Sequence, residues 1–482
     1  MKKRLLVILG AGSSSAVGLP SVKCLDRLIV KWGAEWAEQH GLTDHFQELW
    51  KSAEVYFERG LTQSWPALNF EKVLGDMVAM AHWMEPPPFG DTLRQAACCG
   101  TPPPNMEFRT HMEPDGEVAE PPLLPTALEC PESDTQGSAC EAVGEPLERH
   151  TPAPEAEFSG HGYGGENDWR GKSGAYIELT DEYSFLLERL AQHMRAESER
   201  LKSATPSEGD KYTELLAGLR ENFDTGIYNL NYDTAALDAL PGAYTGFDQS
   251  GNFEPRMVHE RKDWDFVYHF HGSVHHSLNR RYGDQIVWKS SLNGEFFDGP
   301  EGQWSDRRSN GIKIPRTTLV AGGFKLDQLL FEPFQSFHGS LIRHVYAADA
   351  ILIGGYGFGD AHINFALRNR LNVAQGRPPV MVLTLADETT KPMRRRDDLW
   401  AKELGVSLCT GIQGHFFTEP GNPSDPIPTE IAKQGTFEVD AQHRVAVWYG
   451  GFTEAVHRLP SVIRWLDGGS DDVLAVNPAH DT

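Results

Sequence analysis

Cysteine is scarce in this chain: six in 482 residues, at Cys24, Cys98, Cys99, Cys130, Cys140 and Cys409. That is too few for a disulfide scaffold. No two show C-x-x-C spacing, so a zinc ribbon or knuckle built on paired C-x-x-C is excluded. Long hydrophobic runs are missing too. None approaches the roughly 20 apolar residues that cross a bilayer, and no integral membrane protein is expected. Positive charge is in deficit, with 44 Lys and Arg against 68 Asp and Glu and a formal net charge of −24. Like-charge repulsion disfavours a general nucleic-acid coat or an anionic-membrane binder, so no direct nucleic-acid binding is expected. What remains is a chain with 40% hydrophobic residues, enough to bury a core. At about 150 residues per domain its length suggests two or three units.

The opening Met1-Lys2-Lys3-Arg4 followed by Leu5-Leu6-Val7-Ile8-Leu9 has the outline of a signal peptide. The apolar stretch is short for one and runs straight into Gly10-Ala11-Gly12-Ser13. A buried strand entering a glycine turn explains it better, and with so few cysteines a cytoplasmic location is expected. Composition shifts sharply over residues 85–166. That stretch holds 14 of the 31 prolines and 16 acidic against 3 basic residues. It lacks periodicity and cannot bury enough apolar surface to offset its ordering entropy, which reads as a disordered acidic insertion. The vicinal Cys98-Cys99 pair inside it reads as incidental, because vicinal cysteines bond to each other only with strain.

With that stretch set aside, strand and helix patterns alternate. Leu5–Leu9 is continuously apolar, as a strand buried on both faces should be. Apolar stripes at helical spacing follow Pro20 (Val22, Leu25, Leu28, Ile29), run through Phe70, Val73, Leu74 and Met77, and recur over 181–202 and in Tyr212, Leu215, Leu216 and Leu219. Strands are expected at 226–229, 266–270, 318–320, 350–353 and 380–385, with a helix at about 334–346 and another capped by Asp360. The alternation predicts an α/β fold, Rossmann-like, with a mainly parallel sheet and helical additions. Beyond about 396 the pattern is harder to read. Val445–Trp448 suits a strand and Phe452–Leu466 a closing helix.

Each strand is followed by a small or polar turn: Gly10-Ala11-Gly12-Ser13-Ser14, Asn229-Leu230-Asn231-Tyr232-Asp233, His271-Gly272-Ser273 and Gly354-Gly355-Tyr356-Gly357-Phe358-Gly359-Asp360. In a parallel sheet all four lie at the carboxyl edge, where open α/β sheets bind ligands. The first resembles a phosphate cradle, since small residues let backbone N–H groups approach an anion. It is neither G-x-G-x-x-G, which needs Gly where Ser15 stands, nor a Walker A loop. The alternative is a tight strand–helix turn without a ligand. His271 is placed to act as a general base, or as a surface or metal-binding histidine. It belongs to a cluster with His269, His275 and His276. His269 and His271 would share a strand face, but no Cys or acidic ligand lies close by in sequence, and no metal is expected. Asn231 and Asp233 can grip ribose hydroxyls and a water, or can simply cap a turn.

Together these motifs resemble the sirtuin superfamily. Gly10-Ala11-Gly12-x-Ser14-x-x-x-Gly18-Leu19-Pro20 is similar to the sirtuin G-A-G-x-S-x-x-x-G-I-P. Asn229–Asp233 stands where sirtuins have T-Q-N-I-D, and His271-Gly272-Ser273 matches H-G-S. Asn-Tyr-Asp, with Gly-Tyr-x-Phe-Gly-Asp-x-His-Ile-Asn at 355–364, resembles the bacterial sirtuin-like NAD-hydrolase branch of antiphage defence, which includes the Thoeris effectors and the partners of HerA-like ATPases. The resemblance implies a catalytic NAD-binding domain over 1–84 plus 167–395, interrupted by the 85–166 insertion and followed by an extension at 396–482.

Two departures count against a peptide deacylase. Ser21-Val22-Lys23 replaces the Asp-Phe-Arg that follows G-I-P, and no cysteine between Cys140 and Cys409 supplies a zinc module. The resemblance implies NAD+ as substrate, cleaved by water to ADP-ribose and nicotinamide. Gly10, Ala11, Gly12, Ser13 and Ser14 would hold the diphosphate, Asn231 a water or the ribose, and Asp233 the nicotinamide ribose. His271 would serve as base, and Gly355, Tyr356 and Asp387 or Glu388 would face the adenosine. It further implies a homo-oligomer gated by a HerA-like ATPase or another defence subunit. A deacylase or ADP-ribosyltransferase, and a silent nucleotide-binding sensor, are the alternatives.

Overall fold

The computed structural model describes residues 2–58, 68–84, 170–203, 208–279, 285–298, 308–309, 312–313, 317–322, 325–373, 375–386, 399–412 and 428–475. The acidic 85–166 stretch lies outside them. The chain opens with β1 (Arg4–Leu9), and β2 (Asp224–Asn229) and β3 (Phe266–His269) follow the helical region. Two short hairpins come next, β4 (His276–Leu278) with β5 (Ile286–Trp288) and β6 (Arg308–Ser309) with β7 (Ile312–Lys313). Strands β8 (Ala350–Gly354), β9 (Val380–Leu383), β10 (Phe437–Asp440) and β11 (Val445–Trp448) complete the main sheet.

That sheet has the order β10-β11-β9-β8-β1-β2-β3. Every pair is parallel except the edge pair β10–β11. From β1 the chain moves outward through β2 and β3, then crosses back to build β8, β9 and β11 on the other side. The strand order therefore reverses between β1 and β8, and an open α/β sheet binds its ligand at such a switch point.

Side chains alternate between two helical layers, which is why the strands are apolar on both faces. Leu6, Ile8, Tyr228, Tyr268, Ile351, Ile353, Val380 and Val382 pack with Phe334, Phe337 and Leu341 of the Phe334–Ala347 helix and Ile363 and Leu367 of the Ala361–Leu371 helix. Leu5, Val7, Leu9, Ile227, Val267, Leu352 and Met381 face the other way, onto Tyr212, Leu215, Leu216 and Leu219 of the Glu208–Asn222 helix and Val462 and Trp465 of the Leu459–Leu466 helix. A third cluster joins the helices Val22–His40, His45–Glu58, Phe70–Met84 and Arg170–Ser203 to Tyr232, Val274 and Leu319. This helical layer therefore packs on the turns that leave β2 and β3.

Two elements differ from the sequence reading, the segment at 318–320 and the closing helix. Thr318–Val320 is not a strand of the sheet. Leu319 makes an isolated antiparallel bridge to Gly272, and Val320 N–H donates to His271 O at 2.8 Å. The segment crosses the end of β3 in the wrong direction to extend a parallel ladder. The region after 396 supplies β10 and β11 to the same sheet, and Trp465 Nε1 donates to Val380 O at 3.1 Å. Its closing helix is divided, a 3-10 turn at Thr453–Arg458 preceding the α-helix Leu459–Leu466. Pro460 has no N–H to donate, so it sits at the start of that second helix rather than inside one. No helix among the described residues is long and apolar enough to cross a membrane.

Candidate functional site

At the switch point the turns after β1 and β8 interlock. Gly10 N–H donates to Gly354 O and Gly12 N–H to Gly355 O, both at 2.9 Å. A Cβ on Gly10 would lie 2.7 Å from Gly355 O and from Tyr356 Cα, and one on Gly12 would lie 2.9 Å from Gly355 Cα. These glycines are small because two backbones touch. The sequence reading gave them to ligand approach, but the amides of Gly10, Gly12 and Ser13 all serve protein carbonyls. The open rim is elsewhere: Gly12, Gly357 and Gly359 are exposed, and a Cβ on either of the latter two would meet nothing within 4 Å.

The turn after β2 locks onto the same loop. Asn231 Nδ2 lies 3.1 Å from Gly10 O, 3.2 Å from Ser13 Oγ and 2.7 Å from Ser14 Oγ. Asp233 Oδ1 accepts from Ala235 N–H at 3.0 Å, so it does cap a turn, while its Oδ2 is buried without a partner. Burial pushes its carboxyl above the ordinary range, only partly offset by the Ser14 hydroxyl and the Ala235 amide. The turn after β8 is strained. Phe358 is buried at φ 54°, an unusual angle for a bulky residue, and Asn364 Nδ2 donates to its carbonyl at 2.8 Å.

His271 enters from the β3 side and is 3% exposed. Its Nε2 lies 3.8 Å from Asp360 Oδ1, and that oxygen also accepts from Lys325 Nζ at 2.9 Å. Lys325 Nζ also lies 2.8 Å from Glu71 Oε2. Burial lowers the His271 pKa to about 3, with Asp360 opposing and Lys325 and His362 adding to the shift, so the imidazole is neutral near pH 7. Burial alone would raise the Asp360 carboxyl, but Lys325 and His271 outweigh it and hold the group well below the usual carboxylate range. Lys325 is the reverse case: burial would strip its proton, and Asp360 with Glu71 keeps it charged. Tyr356 joins the two halves. Its Cα abuts Gly10, and its hydroxyl accepts from Asp360 N–H at 3.1 Å and donates to Asn364 Oδ1 at 2.9 Å.

Of the residues singled out in the sequence, Gly10, Ala11, Gly12, Ser13, Ser14, Asn231, Asp233, His271, Gly355 and Tyr356 gather at this one edge. Asp387 and Glu388 lie outside the described residues. His271 leaves the histidine cluster, while His269, His275 and His276 stay around Trp288, with ring centroids 6.0, 4.4 and 5.8 Å from it. The strand ends at His269, whose Nδ1 lies 3.3 Å from Asn231 O, whereas His271 faces Asp360 and His275 Nδ1 lies 2.6 Å from Lys289 O. Among the described residues no three His, Cys, Asp or Glu side chains are grouped to hold a metal ion. Asp360 occupies the N-cap position of Ala361–Leu371, yet its side chain caps no amide there. The reading of Asp360 as a helix cap is thus corrected, because Lys325 and His271 claim the carboxylate. Glu71 and Lys325 carry no motif, and sequence alone did not single them out.

Asn229 Nδ2, Asp233 Oδ2, His269 Nε2 and His271 Nε2 are buried at this edge without hydrogen-bond partners. An unmet buried polar group costs about 1–3 kcal/mol, so each of these atoms is suited to a polar partner. No curated protein matches the chain. It is similar to a solved Sir2 homologue, a triple mutant in complex with 2'-O-acetyl ADP ribose, at 11% identity and a TM-score of 0.27, covering 87% of this chain and 96% of that one. Residues 225–409 match the family model of the SIR2-like domain, a span holding Asn231, Asp233, His271, Lys325, Gly355 and Asp360. Over residues 225–409, then, the chain is similar to the SIR2-like domain family.

Proposed function

We propose that the chain is an NAD+ glycohydrolase that releases nicotinamide and ADP-ribose. The observation that carries the reading is a neutral, buried imidazole at 271 joined through Asp360 and Tyr356 to the Gly10–Ser14 loop. The unpaired Asp233 Oδ2 and Asn229 Nδ2 suit ribose hydroxyls, and the exposed rim at Gly12 suits a diphosphate. In the reaction the C1′–N bond to nicotinamide breaks and the nitrogen keeps the electron pair. Water bonds to C1′, and His271 takes its proton. The residues orient the substrate and hold that proton, and no lysine-bearing partner is needed.

The test is incubation of the full chain with NAD+, with and without an acetylated peptide. Peptide-independent nicotinamide release, reduced about 100- to 10,000-fold in His271→Ala, is expected. Asn231→Ala should abolish it too, since the Gly10–Ser14 loop loses its tie to the β2 turn. Turnover only with peptide would assign a deacylase instead, and NAD+ binding without turnover in every assembly state would assign a sensor. An unrestrained hydrolase would deplete its host, so the proposal includes a role as effector of bacterial antiphage defence. It would be gated by self-assembly or by a second subunit such as a HerA-like ATPase. Light scattering with and without NAD+ tests the assembly.

A further inference from the structure

Three elements distant in sequence bring charge to His271. Glu71 comes from the Phe70–Met84 helix, Lys325 from the Lys325–Gln328 helix and Asp360 from the start of Ala361–Leu371. Lys325 Nζ is held between Glu71 Oε2 and Asp360 Oδ1 at 2.8 and 2.9 Å, which fixes the Asp360 oxygen that faces the imidazole. His362 sits on the other side of His271, with ring centroids 5.9 Å apart, and His338 lies beyond it at 5.8 Å. Tyr232 stands behind Lys325, its hydroxyl 3.5 Å from Glu71 Oε1.

Fold stability alone gives a weak reason for this arrangement. Taking two carboxylates and an ammonium out of water carries a desolvation cost that their attraction often fails to repay. Asp360 also forgoes a helix cap worth about 1 kcal/mol. The separation of 3.8 Å from His271 Nε2 is slightly beyond a hydrogen bond, and such contacts commonly tighten when substrate binds.

On the hydrolase reading, the geometry points to Asp360 as a positioning residue that fixes His271 in the Nε2–H tautomer and leaves Nδ1 as the base. An ionised carboxylate can only accept, so the nitrogen facing it carries the proton, and in a neutral ring the other nitrogen is then bare. During turnover the water proton moves to Nδ1 while its electron pair forms the bond to C1′. The imidazolium so formed has Asp360 beside it, which offsets the repulsion from Lys325. Ionised Asp360, pinned by Lys325 and through it by Glu71, thus orients the ring first and stabilises its charge second.

Histidine-selective 15N labelling of the full chain tests this, because two-bond 1H–15N correlations distinguish Nε2–H from Nδ1–H. The His271 signal is identified by its loss in His271→Gln. Nε2–H is expected in the unaltered protein. Asp360→Asn should keep it, because Lys325 holds the carboxamide oxygen in the place of Oδ1, and Asp360→Ala should give mixed tautomers. Nicotinamide release should fall about 10-fold in kcat for Asp360→Asn and about 100-fold for Asp360→Ala, with KM for NAD+ little changed. Nδ1–H in the unaltered protein, or a tautomer indifferent to Asp360→Ala, overturns the assignment. If Asp360→Ala does not fold, Asp360→Asn decides: unchanged kcat overturns the role of the charge. If the unaltered protein releases no nicotinamide in any assembly state, the spectra still decide the role of Asp360, and the hydrolase reading alone fails.

Discussion

Replacing Gly355 with Ala probes the interlock between the turns after β1 and β8. Gly355 sits at φ +60°, a left-handed conformation that costs an L-residue about 1–2 kcal/mol. The new Cβ would also lie 2.0 Å from Ser13 N, 2.4 Å from Gly12 C and 2.7 Å from Gly12 Cα. All three are backbone atoms and cannot rotate aside, so one loop must retreat, and overpacking of this kind costs a further 1–3 kcal/mol or so. Together Gly355→Ala should lose roughly 2–5 kcal/mol. Retreat also breaks the bond from Gly12 N–H to Gly355 O and should abolish NAD+ binding. Gly357→Ala, two residues away, is the control. Its Cβ meets nothing within 4 Å, and stability should stay within about 0.5 kcal/mol. Urea denaturation followed by tryptophan fluorescence, with NAD+ binding by calorimetry, reads both variants. Equal midpoints and equal affinities would refute the packing argument.

Lys325→Met should cost about 3–5 kcal/mol near pH 7.5, because Glu71 and Asp360 are left without the cation between them. That loss should shrink towards pH 5 as Asp360, whose burial is then no longer opposed by Lys325, takes up a proton, and thermal melts at the two pH values check it. Equal losses at both would sink the charge argument. Glu182 lies beneath the His45–Glu58 helix, accepting from His45 N–H at 3.1 Å and Phe46 N–H at 3.0 Å. Burial raises its pKa from 4.5 to about 8, the two amides opposing and Asp44 adding. A raised carboxyl pKa means the fold prefers the protonated form, so its contribution is complete below about 4.5 and fades as pH climbs to about 8. Glu182→Gln should therefore flatten the fall of stability between pH 5 and 8, read as denaturation midpoints across that range.

Much of the sheet was legible because its causes are local. Leu5–Leu9 is apolar without a break since both faces of β1 are covered, and the stripes of Phe70, Val73, Leu74 and Met77 and of Tyr212, Leu215, Leu216 and Leu219 each report one covered helix face. Pairing is not local. Nothing in Thr318-Leu319-Val320 shows that it meets Gly272 antiparallel, and nothing in Val445–Trp448 tells that it lies beside Val380–Leu383 rather than forming a unit of its own.

The same division runs through the site. Glycine and asparagine turns announce themselves, because a backbone contact or a turn restricts which residue can stand there. Even so, the reason was legible only in part: Gly10 and Gly12 are small because of Gly355, a residue some 340 positions on. Charge pairing leaves no such mark. Glu71 and Lys325 each begin a helix and by sequence resemble any solvated residue, and Gly359-Asp360 before a helix reads as a cap whether or not the carboxylate turns towards the amides. Only the return of the chain from β3 to β8 brings Lys325 and Asp360 to His271, with Glu71 on the far side of the Lys325 ammonium. A lysine buried between two carboxylates is stable only as a group, so each member looks unremarkable until the others are located. The imidazole could thus be named from its Gly-Ser neighbours, while the groups that set its proton inventory waited on the topology.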